Sequence, residues 1–141
     1  MASDFTVIVS VRQHFGDEAS WLKDVEPGLL FVGRTKDFHF DCPRVDPGAD
    51  AVLMFQTRDV DHNKNIIQIN PATAQQPTVS GGIPVSPSKD TWNGNIMLIG
   101  RGVLRETNNV LHVEAVSEDS VLGPDLDDFI IDNVVALYKT R

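Results

Sequence analysis

Apolar and polar side chains alternate along much of this chain with a period of two, the spacing that places successive side chains on opposite faces of a β-strand. In the first such segment, apolar residues at 5, 7, 9 and 11 alternate with Thr6, Ser10 and Arg12, so we expect the apolar set to face a core. Strand-like segments occur at residues 5–11, 29–32, 38–40, 51–57, 66–69, 95–99, 110–116 and 129–138. This spacing predicts an all-β fold, an antiparallel β-sandwich of about eight strands of the jelly-roll kind.

Two of these segments carry extra information. The segment 51–57 is apolar on both faces, which predicts a central strand. The segment 129–138 also fits an apolar helical stripe, but its β-branched residues favour a strand.

Length and charge narrow the class of protein. At 141 residues the chain suits one domain, residues 1–141, and its net charge of −8 repels nucleic acid backbones. The sequence as given shows neither a signal peptide nor a membrane span, so we expect a soluble chain, and its compartment stays open. The single cysteine, Cys42, cannot form an internal disulfide, and no cationic neighbour in sequence activates it, so we expect a buried inert thiol.

The richest cluster of polar side chains is the run 59–65, between the strands predicted at 51–57 and 66–69. Asp59, Asp61, His62 and Asn63 offer the oxygen and nitrogen atoms that a calcium ion or a polyhydroxylated ligand needs. The alternative is a corner whose side chains bond their own backbone. An EF-hand is excluded, because the run lacks the required glycine, the final Glu and flanking helices.

A second candidate region is the long Pro-, Ser- and Gly-rich segment 70–90, since loops of this length are often functional. At its end, Trp92 and Asn93 could stack on a sugar ring and bond its hydroxyls. Trp21 is the other aromatic candidate, and a structural role for Trp92 is equally compatible with the sequence.

The order of segments resembles the galactose-binding-like jelly rolls of many carbohydrate-binding modules. The resemblance covers residues 51–61, 67–70, Trp92, 109–113 and 128–134, and it is best in the last two segments, Asn-Val-Leu-His-Val and Asp-Phe-Ile-Ile-Asp-Asn-Val. The chain departs from the family pattern where Pro71 replaces a glycine and a long insertion follows. The resemblance implies a sandwich fold and a carbohydrate ligand.

Many members of that family hold a structural calcium, with an acidic residue of the closing strand among its ligands. Asp132 occupies the matching place, so the resemblance implies that Asp132 is a metal ligand. Strict alternation would place Asp132 on the same face as Ile130, Val134 and Ala136. A carboxylate there must lie at the rim, pair with a cationic side chain or hold a cation.

Taken together, these features predict a non-catalytic binding module of lectin type, with a glycan as ligand and calcium as its cofactor. Oligomerisation into a homo-oligomer would raise the low affinity of one site. The alternative is a structural, assembly or toxin-component protein that uses the sandwich for protein contacts. A small glycan hydrolase or lyase is a third class, but no nucleophile motif or carboxylate spacing marks a catalytic residue.

Overall fold

The computed structural model describes residues 2–21, 26, 28–70, 82–118 and 125–141. Within these ranges the chain forms nine strands and no helix, so the predicted all-β class is confirmed. The strands are β1 (Ser3–Val9), β2 (Gln13–Phe15), β3 (Leu30–Gly33), β4 (Thr35–Phe40), β5 (Ala51–Arg58), β6 (Ile66–Ile69), β7 (Trp92–Ile99), β8 (Asn109–Glu114) and β9 (Phe129–Lys139).

These strands form two sheets that pack face to face as a β-sandwich. The larger sheet has the order β3-β2-β9-β5-β7, and β1 pairs with β9 further along the same edge as β2. The smaller sheet has the order β4-β8-β6. Every pairing is antiparallel except that of β2 with β3. The segment predicted to be central, β5, lies between β9 and β7, and only the three-residue β2 has no counterpart among the predicted segments.

The core lies between the sheets. Leu53 and Ile131 of the larger sheet and Ile69 and Leu111 of the smaller one are fully buried in the same apolar cluster. Phe15 stacks on Phe129 with ring centroids 5.5 Å apart and meets Phe38 of the opposite sheet edge-on at 6.5 Å. These rings join the two layers close to the end of the sandwich at which β9 begins.

The predicted orientation of β1 is wrong. Phe5 and Val7 are 61% and 50% exposed, and Val11, beyond the strand, is 52% exposed. Of the residues predicted to face the core, only Val9 is buried. The pairing of β1 with β9 shifts register between Val7 and Val9, so the side chains before and after the shift face opposite sides of the sheet. Apolar and polar side chains do alternate along β1, but the apolar face of β1 is the outer one.

A second irregularity changes the position of Asp132. Gln56 pairs with Asp132 and Met54 with Val135, so β9 carries one extra residue, and Asn133 has a positive φ of 48°. Such a β-bulge reverses the facing of the residues that follow it. The predicted shared face of Asp132 with Val134 and Ala136 is therefore wrong: the last two are buried in the core, and Asp132 lies beside the exposed Gln56 on the outer face.

The predicted irregular segment 70–90 falls partly outside the described residues, which omit 71–81. Residues 82–90 contain no strand and cross the end of the sheet before β7. Across the described ranges, no helix is long and apolar enough to cross a membrane.

Candidate functional site

An open cavity of about 390 Å³ lies at the end of the larger sheet, where β5 ends and β9 begins. The loops that follow β2 and β5 and those that precede β7 and β9 all contribute to it. Among the described residues nine line it: six of these carry carboxylates, and of the nine only Lys89 carries a positive charge. This acidic cavity is lined by Glu18, Trp21, Asp59, Asp61, Lys89, Asp90, Leu126, Asp127 and Asp128.

One wall is built by two aspartates in left-handed backbone conformation. Asp59 and Asp90 have φ values of 62° and 60°, which aspartate tolerates better than most residues because its short side chain bonds nearby backbone. Asp59 Oδ1 accepts a hydrogen bond of 2.8 Å from the Asp90 backbone N–H. Two turns that are distant in sequence are thereby fixed together, each with a carboxylate at the cavity.

A buried arginine supports this wall. Arg58 donates from Nε to Asp59 Oδ2 at 3.1 Å and from Nη2 to Asp90 Oδ1 at 3.4 Å, and it also contacts Glu26, which binds Arg12 as well. Burial alone would lower the pKa of Arg58, but the hydrogen bonds to Glu26 and Asp90 and the Asp59 charge together raise it. Arg58 therefore stays cationic and offsets part of the negative charge on this side of the cavity.

Asp127 is the most constrained carboxylate of the cavity. It is 6% exposed, and its Oδ2 accepts hydrogen bonds from the Asp61 backbone N–H at 2.9 Å and from Asn65 Nδ2 at 2.7 Å. Its Oδ1 has no hydrogen-bond partner among the described residues. Burial raises the pKa of Asp127, and the two hydrogen bonds partly oppose that rise. A buried carboxylate oxygen without a donor is costly, and a bound cation would satisfy it.

Beside Asp127, three further carboxylates form a tight group, here called the acidic triad: Asp17, Glu18 and Asp128. One side-chain oxygen from each lies within 4.8 Å of the others. Asp128 Oδ1 is held by His14 Nε2 at 2.7 Å and by the Glu18 backbone N–H at 3.2 Å. Three oxygens at this separation match the hard oxygen ligands that calcium takes.

The close approach of Asp128 requires a glycine at position 16. Gly16 has a φ of 144°, and a Cβ there would lie 1.9 Å from Asp128 Oδ1 and 2.9 Å from Asp128 Cα. Any side chain at this position would displace Asp128 or the backbone before β9. Gly16 is therefore part of the framework of the triad.

An aromatic surface borders the cavity. Trp21 is half-buried and lines it, with its ring centroid 5.0 Å from that of the fully buried His14. His14 also contacts Phe31 at 5.0 Å, and its Nδ1 lacks a hydrogen-bond partner among the described residues. Trp21 therefore contacts the buried His14 and lines the same cavity as the carboxylates.

The cavity brings together only part of the predicted site. Asp59 and Asp61 line it, as carboxylates of the predicted 59–65 run. His62 is 8% exposed, bonds the Val116 carbonyl through Nε2 at 3.2 Å and accepts from the Lys64 backbone through Nδ1. Asn63 is exposed and does not line the cavity. The run therefore serves both as a structural corner and as a supplier of carboxylates.

Trp92 and Asn93 also lie outside the lining of the cavity. Trp92 is covered by Arg12, whose guanidinium carbon lies 5.3 Å from the ring centroid. Asn93 is half-buried and exchanges hydrogen bonds with Thr57, Ser86 and Asn95. These contacts give both residues packing roles at the start of β7.

Asp132, the predicted metal ligand, lies 3.6 Å from Arg12 Nε and does not belong to the acidic triad. Its Oδ1 accepts from the Asn133 backbone N–H at 2.7 Å, which supports the bulge. Pairing with a cationic side chain, one of the roles open to this carboxylate, is therefore present in the structure.

Sequence reasoning did not identify most of the residues that complete the site. Asp127 and Asp128 are not among the predicted site residues, and the predicted stacking residue is Trp92, with Trp21 as the other aromatic candidate. Asp17 and Glu18 are an adjacent pair and Asp90 is a single acidic residue; isolated acidic residues and pairs of this kind are common on protein surfaces, so they carry no local signal of a site. Only the pairing of β2 with β9 and of β5 with β7 brings them to one end of the sheet.

No protein-family model, no curated protein and no solved structure matches this chain. The resemblance to galactose-binding-like jelly rolls therefore stays a prediction.

Proposed function

We propose that this protein is a non-catalytic carbohydrate-binding module that binds its glycan in the acidic cavity, with a calcium ion held at the acidic triad. The observation that carries the proposal is an open cavity lined by a half-buried indole, a row of carboxylates and two residues of the acidic triad, Glu18 and Asp128. Each of these features supplies a different part of sugar recognition.

The size and the polarity of the acidic cavity agree with a glycan as its ligand. At about 390 Å³ the cavity falls within the range of small-molecule sites. Its lining is mostly polar, as suits a ligand covered with hydroxyl groups. The exposed Asp61, with Asp59 and Asp90 on the neighbouring wall, can accept hydrogen bonds from sugar hydroxyls, and charge-assisted bonds of this kind are the stronger ones.

The aromatic contact comes from Trp21. An indole offers a flat apolar face on which the C–H groups of a sugar ring can pack. Because His14 supports this ring at 5.0 Å, little conformational freedom would be lost on binding. Trp21 therefore replaces Trp92 as the proposed stacking residue.

The cation is proposed from charge and geometry together. Among the described residues that line the cavity there are six carboxylates and one lysine, and within the same part of the chain Asp127 Oδ1, buried beside the triad residue Asp128, lacks a donor. Calcium takes six to eight oxygen ligands at about 2.3–2.6 Å, and it leaves positions that water or sugar hydroxyls can fill. Glu18 is the triad residue best suited to a test of this ion, since it is exposed and lines the cavity.

The test is a glycan array with labelled protein, run with calcium and with EDTA. We expect binding in calcium that EDTA weakens, and loss of that binding in Asp61→Asn. The matched control is Asp50→Asn, an exposed carboxylate at the opposite end of β5, which should bind as the native protein does. A folded native protein that binds no glycan would contradict the proposal, and binding unaffected by EDTA would remove the cation from it.

A further inference from the structure

The outer face of the larger sheet carries an apolar surface that the fold itself does not cover. Across four adjacent strands, cross-strand partners form two rows on this face. One row runs through positions 5, 137, 52 and 98, and the other through positions 7, 135, 54 and 96. We call this the apolar face; its members are Phe5, Val7, Val52, Met54, Ile96, Leu98, Val135 and Leu137.

Several side chains of the apolar face are more than half exposed to solvent, which is unusual for large apolar residues that adjoin one another on a monomer. Ile96 is 75% exposed, Phe5 61%, Leu98 54% and Val7 50%. The alternate residues of the same strands are buried in the core, so the residues of the apolar face do not contribute to that core. Single exposed apolar residues are common, but two complete rows across four strands are a contiguous patch of the kind that marks an interaction site.

From these observations we infer that the apolar face is the interface of a homodimer, in which two copies stack their larger sheets about a two-fold axis. Sheets pack face to face at about 10 Å, with their apolar side chains interdigitated. A two-fold interface brings the same patch of both copies together. None of the eight side chains is charged, so the contact buries no unpaired ion.

The area of the apolar face is large enough for the interface of a homodimer. The four most exposed side chains of the apolar face and Leu137, which is also exposed, contribute about 100 Å² each, hence roughly 500 Å² per copy. The pair would therefore bury about 1,000 Å², the lower limit of a specific interface. The neighbouring Gln56, Asn133 and Lys139, all exposed, provide a polar rim that adds to this area. The net charge of −8 opposes an anionic membrane surface as the alternative occupant.

Such a dimer leaves the acidic cavity open. The apolar face uses the beginning of β5 and the end of β9, whereas the cavity lies after β5 and before β9. Two cavities would then be presented by one particle, which would raise the avidity for a multivalent ligand if the proposed function holds. The existence of the dimer does not depend on that function.

The test is sedimentation velocity of the full chain over a dilution series. We expect a native dimer, and in Ile96→Lys a dissociation constant raised at least about tenfold, because a buried lysine would have no partner. Leu30→Lys is the matched control: Leu30 is 47% exposed but lies on β3, outside the apolar face, and should leave the dimer intact.

Val7→Lys, on the opposite side of the face, provides a second variant if Ile96→Lys fails to fold by circular dichroism. A native protein that stays monomeric at every concentration would overturn the inference. A dimer that persists unchanged in a folded Ile96→Lys or Val7→Lys variant would also overturn it.

Discussion

Asn65 connects three parts of the site, and its removal gives a prediction whose magnitude follows from the structure. The side chain is fully buried; Nδ2 donates to Asp127 Oδ2 at 2.7 Å, and Oδ1 accepts from the Val116 backbone N–H at 3.0 Å. The Asn65 carbonyl also accepts from the Ile83 backbone N–H at 3.0 Å. The corner after β5, the segment after β8 and the segment before β9 therefore depend on one residue.

Asn65→Ala removes both side-chain hydrogen bonds. A hydrogen bond to a charged group contributes about 1.5–3 kcal/mol and an ordinary one about 0.5–1.5 kcal/mol, so we expect the free energy of unfolding to fall by about 2–4 kcal/mol. The expected loss lies in the upper part of this range, because among the described residues Asp127 would keep only the Asp61 N–H as a hydrogen-bond donor in a buried position.

The assay is urea denaturation followed by tryptophan fluorescence. The control is Asn63→Ala, two residues away in the same corner but exposed, which should change the free energy of unfolding by no more than about 0.5 kcal/mol. If Asn65→Ala were as stable as Asn63→Ala, Asn65 would not be the connection described, and the positioning of Asp127 would need another explanation.

Three further predictions follow from single contacts. Gly16→Ala should lower the free energy of unfolding by at least about 2 kcal/mol in urea denaturation, because its Cβ would overlap Asp128, whereas Gly94→Ala, with no atom within 4 Å of its Cβ, should not destabilise comparably. Glu18→Gln should abolish any rise in melting temperature that calcium produces, whereas Glu106→Gln, far from the triad, should keep it. Burial raises the pKa of Cys42 to about 11 from an unfolded value of 9.0, so unfolding should become easier by about 2–3 kcal/mol between those pH values, and Cys42→Ala should lose that dependence. A rapid reaction of the folded thiol with a disulfide reagent at pH 8 would contradict the last prediction.

The strands were predictable because the period-two pattern is a local property that pairing preserves. The pattern could not predict which side chains point towards the core in strands that contain a bulge. The extra residue in β9 and the register shift in β1 separate Asp132 and Phe5 from the faces that strict alternation assigns. A bulge adds one residue without a distinctive sequence signal, so every prediction beyond it is inverted.

The candidate site shows a second limit of prediction from the sequence. Asp59 and Asp61 were predictable because they lie in one dense polar run, and both line the cavity. Asp90 and Asp127 reach the same place only through the register of β5 with β7 and β9, over sequence separations that no local motif spans. Composition suggested carboxylates as ligands, but only tertiary pairing selected which of them meet.

The central claim is that Trp21, rather than Trp92, faces the ligand in the acidic cavity. The most direct measurement is a calorimetric titration of the native protein, Trp21→Ala and Trp92→Ala with the best glycan from the array, in calcium. We expect Trp21→Ala to lose about five- to thirtyfold in affinity, since the loss of an aromatic platform costs on the order of 1–2 kcal/mol, and Trp92→Ala to keep its affinity while losing stability. Native affinity in a folded Trp21→Ala variant, or a loss confined to Trp92→Ala, would contradict the account.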